Sequence, residues 1–254
     1  MTQRIHLTMV GGLCNRLRAL TAALHVCKRL DLSLSIDWGD LDKSCPCAIE
    51  DLFVEGYRAL EDSDEEEVTK LEKWKWGGVE PGAFYHAFLP GTDLEEFKSG
   101  CLAQMKGLVP VPAIMRRLDS IKGKLGPNTV GIHMRRTDVM IWDGKRHRPI
   151  DVTRSDHQLI ERLDLESPDT QFFLAADNPD SVDLLKSRYG DRILHSDATW
   201  KQGELRLTEI EDAVVDLYCL ASCSRIVGTY WSSFTDYAAT LGGIPAERIG
   251  VPSY

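Results

Sequence analysis

The sequence predicts an α/β protein built on parallel sheet. Short runs of Val, Ile, Leu and Phe alternate with longer segments whose apolar residues recur every three or four positions. Glycine, proline or asparagine punctuates many of the switches between the two patterns. Alternating strand and helix implies parallel strands covered on both faces, which explains why the strand runs are apolar throughout.

In chain order, Ile5 to Val10 reads as a strand and Gly11-Gly12 as a turn. Leu13, Leu17, Leu20, Ala23, Leu24, Cys27 and Leu30 share helical spacing, and Leu32 to Asp37 reads as a second strand. Over 38–107 no regular element is assigned. Asp62 to Glu67 is an acidic run, read as a solvated loop or a first helical turn. Trp74, Trp76, Phe84, Tyr85 and Phe88 follow, interleaved with glycine and proline. They are either sugar-stacking surface or core. Pro110 and Pro112 punctuate the chain, and we place a domain boundary there, giving domains 1–112 and 113–254. A helix is predicted over 114–125, ended by Gly126-Pro127-Asn128. Next come a strand over 129–134, a polar loop over 135–153 and a helix over 155–164. A strand over 171–176, a helix over 179–189 and a short strand over 192–195 continue the alternation. A helix over 208–222, a strand over 225–228 and a helix over 233–241 complete it.

The net charge of −9 and pI near 5.3 argue against a nucleic-acid partner, which favours a basic face. No apolar run is long enough to span a bilayer. MTQRIHLTMVGG lacks the basic and apolar regions of a signal peptide, and a reducing cytoplasm is the expected compartment. Of seven cysteines, Cys45-Pro46-Cys47 is a candidate metal or redox pair, but no second pair stands at zinc spacing.

In parallel sheets ligands bind at the carboxyl ends of strands, so those ends carry the functional reading. The first ends in Gly11-Gly12-Leu13-Cys14-Asn15-Arg16-Leu17-Arg18. The glycines make either a tight turn or a close approach for a ligand at a helix N-terminus. Arg16 and Arg18 are compatible with plain surface positions. The 129–134 strand ends in His133, Arg135, Arg136 and Asp138. His133 and Arg135 share one strand face and Arg136 takes the other. Either one guanidinium reaches a phosphate while the other pairs with Asp138 or another carboxylate, or the block is a structural Arg–Asp cluster. Asp177 and Asn178 end the next strand, as helix caps or as part of the same site. Asp216 sits among Val214, Val215, Leu217 and Leu220. A carboxylate enclosed there needs a partner: a guanine N–H and NH₂, or Arg136 or Arg225. Ser232, Ser233 and Phe234 follow the last strand, and hydroxyls at a helix start suit either a phosphate or a cap.

Together, Gly11 to Arg18, His133-Met134-Arg135-Arg136-Thr137-Asp138, Leu174 to Asn178, and Asp216 with Ser232-Ser233 resemble the signature blocks of GDP-fucose-dependent fucosyltransferases. The resemblance is nearest to the α-1,6-fucosyltransferase and protein O-fucosyltransferase superfamily. It implies a GT-B-like architecture, two Rossmann-like domains facing across a cleft, with the donor held mainly by the C-terminal one. It also implies inverting, metal-independent transfer of L-fucose from GDP-fucose to a glycan hydroxyl, with no cofactor. By position, Arg135 would bind the β-phosphate, His133 and Asp216 the nucleotide, and Ser232, Ser233 and Phe234 the phosphate and base. Asp177 belongs to the same donor side. Gly12 and Asn15 would reach in from the N-terminal domain. Asp143 would be the general base, with Asp138 as the alternative. The sequence departs from the blocks at Cys14, Asn178 and Val139. Another nucleotide-sugar donor (rhamnosyl, mannosyl or xylosyl), or a non-catalytic nucleotide-sugar- or glycan-binding module, are the competing readings.

Overall fold

The computed structural model describes residues 4–9, 11–38, 44–55, 68–69, 89, 91–136, 140–142, 147–149, 152–201, 207–229 and 232–250. The chain divides into two units, Met1–Val111 and Pro112–Tyr254.

In the first unit, β1 (Arg4–Thr8) lies between β2 (Ser33–Asp37) and β4 (Val68–Thr69), all parallel. Ile5 and Leu7 are buried while His6 and Thr8 are half-buried, the period of two expected of a strand. Helix α1 (Leu13–Leu30) connects β1 to β2. It is buried on almost every side between Leu13 and Cys27, because α2 (Leu94–Gly107) packs against it as well. Asp93 caps α2 through the Glu95 and Glu96 amides. A short antiparallel pair, β3 (Phe53–Glu55) with β5 (Val109–Pro110), completes the described part of this unit. The sequence did not reveal α2, since only Phe97 and Met105 are buried on it. The aromatic stretch 74–88 lies outside the described residues.

In the second unit, five parallel strands run in the order β10 (Ile193–His195), β9 (Phe172–Ala176), β6 (Val130–Met134), β11 (Arg225–Thr229), β12 (Ala246–Ile249). Val130, Ile132 and Met134 face one core with Leu159 and Leu163 of α4 (Val152–Asp164) and Leu185 of α5 (Pro179–Tyr189). The opposite face is covered by α6 (Ile210–Leu220) and α7 (Ser233–Gly242), and α3 (Pro112–Lys122) packs on α6. Leu220 and Cys223 sit so close to Gly131 that a Cβ there would lie 2.8 Å from Leu220. The polar loop expected over 135–153 is only partly a loop. It holds an antiparallel pair, β7 (Met140–Trp142) with β8 (His147–Pro149), and α4 starts at Val152. Edge strand β12 was not anticipated, because three of its four residues are exposed.

Strand order marks the edge of the sheet where a candidate site belongs. From β6 the chain moves outward to β9 and β10, then returns through α6 to β11 on the other side of β6. The β6/β11 boundary is therefore the point where the winding reverses. A crevice opens outside the carboxyl ends of such strands.

Candidate functional site at the carboxyl ends of β6 and β11

His133 is 7% exposed, and its side chain reaches the α7 face of the sheet. Its Nδ1 lies 2.8 Å from Thr235 Oγ1, and its ring stacks on Phe234 with centroids 4.8 Å apart and planes at 29°. Thr235 is fully buried and sits on Gly228, the β11 residue paired with His133. A Cβ on Gly228 would lie 2.4 Å from Thr235 Oγ1, so only glycine leaves room for this threonine. Ser232 caps α7 through the Phe234 amide at 3.3 Å, and is buried. Ser233 begins the helix, whose first amides carry its positive dipole end.

Beyond the last residue of β6, the two arginines are held differently. Arg136 turns to the α4 face, where its Nε donates to Asp156 Oδ1 at 3.2 Å and its Nη2 forms an ion pair with the same carboxylate. Burial depresses the Arg136 guanidinium pKa, and the charges of Asp180 and Asp177 oppose that shift. Both backbone amides are also held: Arg135 N–H donates to Thr229 Oγ1 at 3.1 Å, and Arg136 N–H to the Asp177 carboxylate at 2.8 and 3.0 Å. A hydroxyl from β11 and a carboxylate after β9 thus fix the loop that carries Arg135. The expected Arg136 partner, Asp138, lies outside the described residues, and the carboxylate that meets Arg136 is Asp156, one not singled out in the sequence.

Asn178 is the cap of α5, accepting from Ser181 N–H at 3.0 Å and Ser181 Oγ at 2.6 Å. Asp216 is 6% exposed and accepts the Ser196 hydroxyl at 2.6 Å. Ser196 follows β10, so this contact stands two strands from β6. The two arginines weighed as its partners are engaged elsewhere, Arg136 by Asp156 and Arg225 by Glu166. Asp143 lies outside the described residues.

In the first unit, Gly11 adopts φ +88° and Gly12 precedes α1 as its cap. Apart from its chain neighbours, no atom of the described residues stands within 4 Å of where a Gly12 Cβ would be. Asn15 is half-buried, its amide bonded to Gly12 O at 3.0 Å. Arg16 is no surface residue. It is fully buried, donating from Nε to Gly11 O at 2.7 Å and from Nη1 to Trp38 O, and so ties the turn before α1 to the end of β2. Among the described residues no group of three or more His, Cys, Asp or Glu could hold a metal ion, and no helix is long and apolar enough to cross a membrane.

No family model and no curated protein matches the sequence. Solved structures do match the fold. The fucosyltransferase NodZ from Bradyrhizobium is 16% identical with a TM-score of 0.56, covering 94% of this chain and 93% of that one. A mutant of Arabidopsis thaliana FUT1 in complex with GDP is 14% identical with a TM-score of 0.57, covering 100% and 71%. POFUT1 in complex with GDP is 13% identical with a TM-score of 0.52, covering 97% and 99%. This chain shares their α/β fold.

Proposed function

We propose that the protein is an inverting, metal-independent glycosyltransferase of GT-B-like architecture that moves L-fucose from GDP-fucose to a glycan hydroxyl. One observation carries the reading. At the reversal point of a parallel sheet, one arginine of a pair is neutralised by Asp156, while the loop bearing the other is fixed beside a capped helix N-terminus. Similar folds include a NodZ crystal soaked with GDP-fucose and proteins bound to GDP.

In this reading Arg135 and the first amides of α7 hold the diphosphate. They stabilise the charge that grows on it as the bond to the sugar breaks, the work a metal ion does in other transferases. His133 and Phe234 form the nucleotide wall, Ser232 and Ser233 complete the phosphate side, Asp177 orders the arginine loop, and Asp216 reads guanine. Gly12 and Asn15 keep the donor-binding role that the Gly11–Arg18 block implies. Asp143, or else Asp138, takes the proton of the acceptor hydroxyl as its oxygen attacks the anomeric carbon.

The test is calorimetric titration with GDP, UDP and ADP, first in EDTA and then with Mg²⁺. Selective, metal-independent GDP binding supports the donor assignment. Preference for UDP moves the reading to another donor, and no binding of any nucleotide overturns it. Turnover of GDP-fucose with a glycan acceptor then separates an enzyme from a binding module: Asp143→Asn should lower turnover and leave GDP affinity nearly intact.

A further inference from the structure

We infer that Cys45 and Cys47 form a reversible redox site, a dithiol that closes to an intramolecular disulfide by exchange with a small disulfide such as oxidised glutathione. Nothing in that chemistry depends on the proposed transferase activity.

The two sulfurs are 3.9 Å apart. Pro46 lies between them, and Cys47 N–H donates to Cys45 O at 3.0 Å across it. That two-residue hydrogen bond belongs to an inverse γ-turn, and the proline ring supplies the φ its central position needs. A disulfide requires about 2 Å between sulfurs, so closure asks the two sulfurs to approach by roughly 2 Å. The C-terminal flank is fixed as well. Cys45 is fully buried, Ala48 N–H is bonded to Asp51 Oδ2 at 3.2 Å, and Leu52 and Phe53 lie in the core. Two sulfurs held this way react with each other at high effective concentration.

Access is one-sided, which orders the steps. Pro46 is exposed and Cys47 half-buried. The Cys47 thiolate attacks one sulfur of oxidised glutathione, the S–S bond breaks, and one glutathione thiolate leaves. The Cys45 thiolate then attacks Cys47 Sγ in the mixed disulfide and expels the second glutathione. The protein loses two protons and two electrons, and one oxidised glutathione becomes two reduced ones. Other thiols are poor competitors: burial pushes Cys27 up to about 11 and Cys101 and Cys223 up to about 12. The ring closed by Cys45 and Cys47 is small, so the bond removes little chain entropy and is of the labile kind.

The whole protein is equilibrated in glutathione buffers of graded oxidised-to-reduced ratio, acid-quenched, alkylated with iodoacetamide and digested with trypsin. Cleavage after Lys43 and Arg58 yields peptide 44–58, which holds both cysteines and no other. In oxidising buffer it should appear unalkylated and lighter by two hydrogens, and dithiothreitol should restore double alkylation. Cys45→Ser should trap a glutathione adduct on Cys47. Cys47→Ser should leave Cys45 unmodified until the protein is denatured. Double alkylation at every ratio, or a disulfide from either residue to another cysteine or another chain, would overturn the site. The wild-type series decides the matter even where a variant fails to fold.

Discussion

Thr235 brings its hydroxyl to 2.8 Å from His133 Nδ1, and it can do so only because residue 228 has no side chain. The imidazole is therefore held by a contact that depends on Gly228. Gly228→Ala should displace Thr235, cost about 1–3 kcal/mol of stability, and weaken GDP binding. Thr235→Val removes only the bond, at about 1 kcal/mol, and should weaken GDP binding with less loss of fold. Urea denaturation paired with calorimetry separates the two effects.

Arg135 and Arg136 should fail in opposite assays. Arg135→Ala is expected to leave stability within about 0.5 kcal/mol but remove about 2–4 kcal/mol of transition-state stabilisation, read as kcat/KM. Asp156→Ala strips the carboxylate from the half-buried Arg136 guanidinium. It should cost about 3 kcal/mol of stability, seen as a lower denaturation midpoint. An Arg135→Ala variant with unchanged kcat/KM would remove this arginine from the proposed phosphate site.

His25 gives unit one a pH dependence. It is buried on α1 against Gly100 of α2, edge-on to Phe97 at 5.5 Å, and among the described residues Nε2 has no hydrogen-bond partner. Burial, aided by Arg29 and Lys28 and opposed by Glu96, lowers its pKa below the ordinary 6.5. Below that value the unfolded chain binds a proton that the folded one refuses, so stability falls as pH drops toward the depressed folded pKa and then levels. His25→Leu should flatten this component, as urea titrations near pH 7.5 and about pH 5.5 would show. Gly100→Ala places a methyl 2.0 Å from the ring and should destabilise at every pH.

Asp212 is a structural counterpart to the site residues. It is 2% exposed, meets Arg117 Nη2 at 2.5 Å, and accepts from the amides of Thr199 at 3.1 Å and Glu209 at 3.3 Å. Asp212→Ala leaves those donors to solvent or to nothing, with an expected loss of about 2 kcal/mol. Thermal unfolding of this variant beside Asp212→Asn measures how much of the loss is charge.

Periodicity made most of the second unit legible. The strand bearing His133, the helix bearing Asp216 and the capped helix after β11 stand within about two residues of where apolar spacing puts them. What spacing could not reveal depends on partners distant in sequence. Helix α2 buries too few residues to show a stripe, and β12 carries Glu247 and Arg248, which bond to Arg162 and Asp236. Arg16 looks like any helical arginine until Trp38 O meets it. Asp156 and Thr235 carry no local signal, because their importance lies in touching Arg136 and His133.

The separation between those partners has a consequence for biosynthesis. Arg135 waits for Thr229, 94 residues later, and His133 for Thr235, 102 residues later. On the ribosome, β6 can pair with β9 well before β11 exists to cover its other edge. Such distant parallel pairing is slow to form and leaves apolar strand edges open meanwhile. The His133–Thr235 contact is thus among the last parts to assemble, and chains halted before Thr229 would present β6 as a sticky edge. Slower, cooler expression should therefore raise the yield of natively folded protein more than it raises total protein.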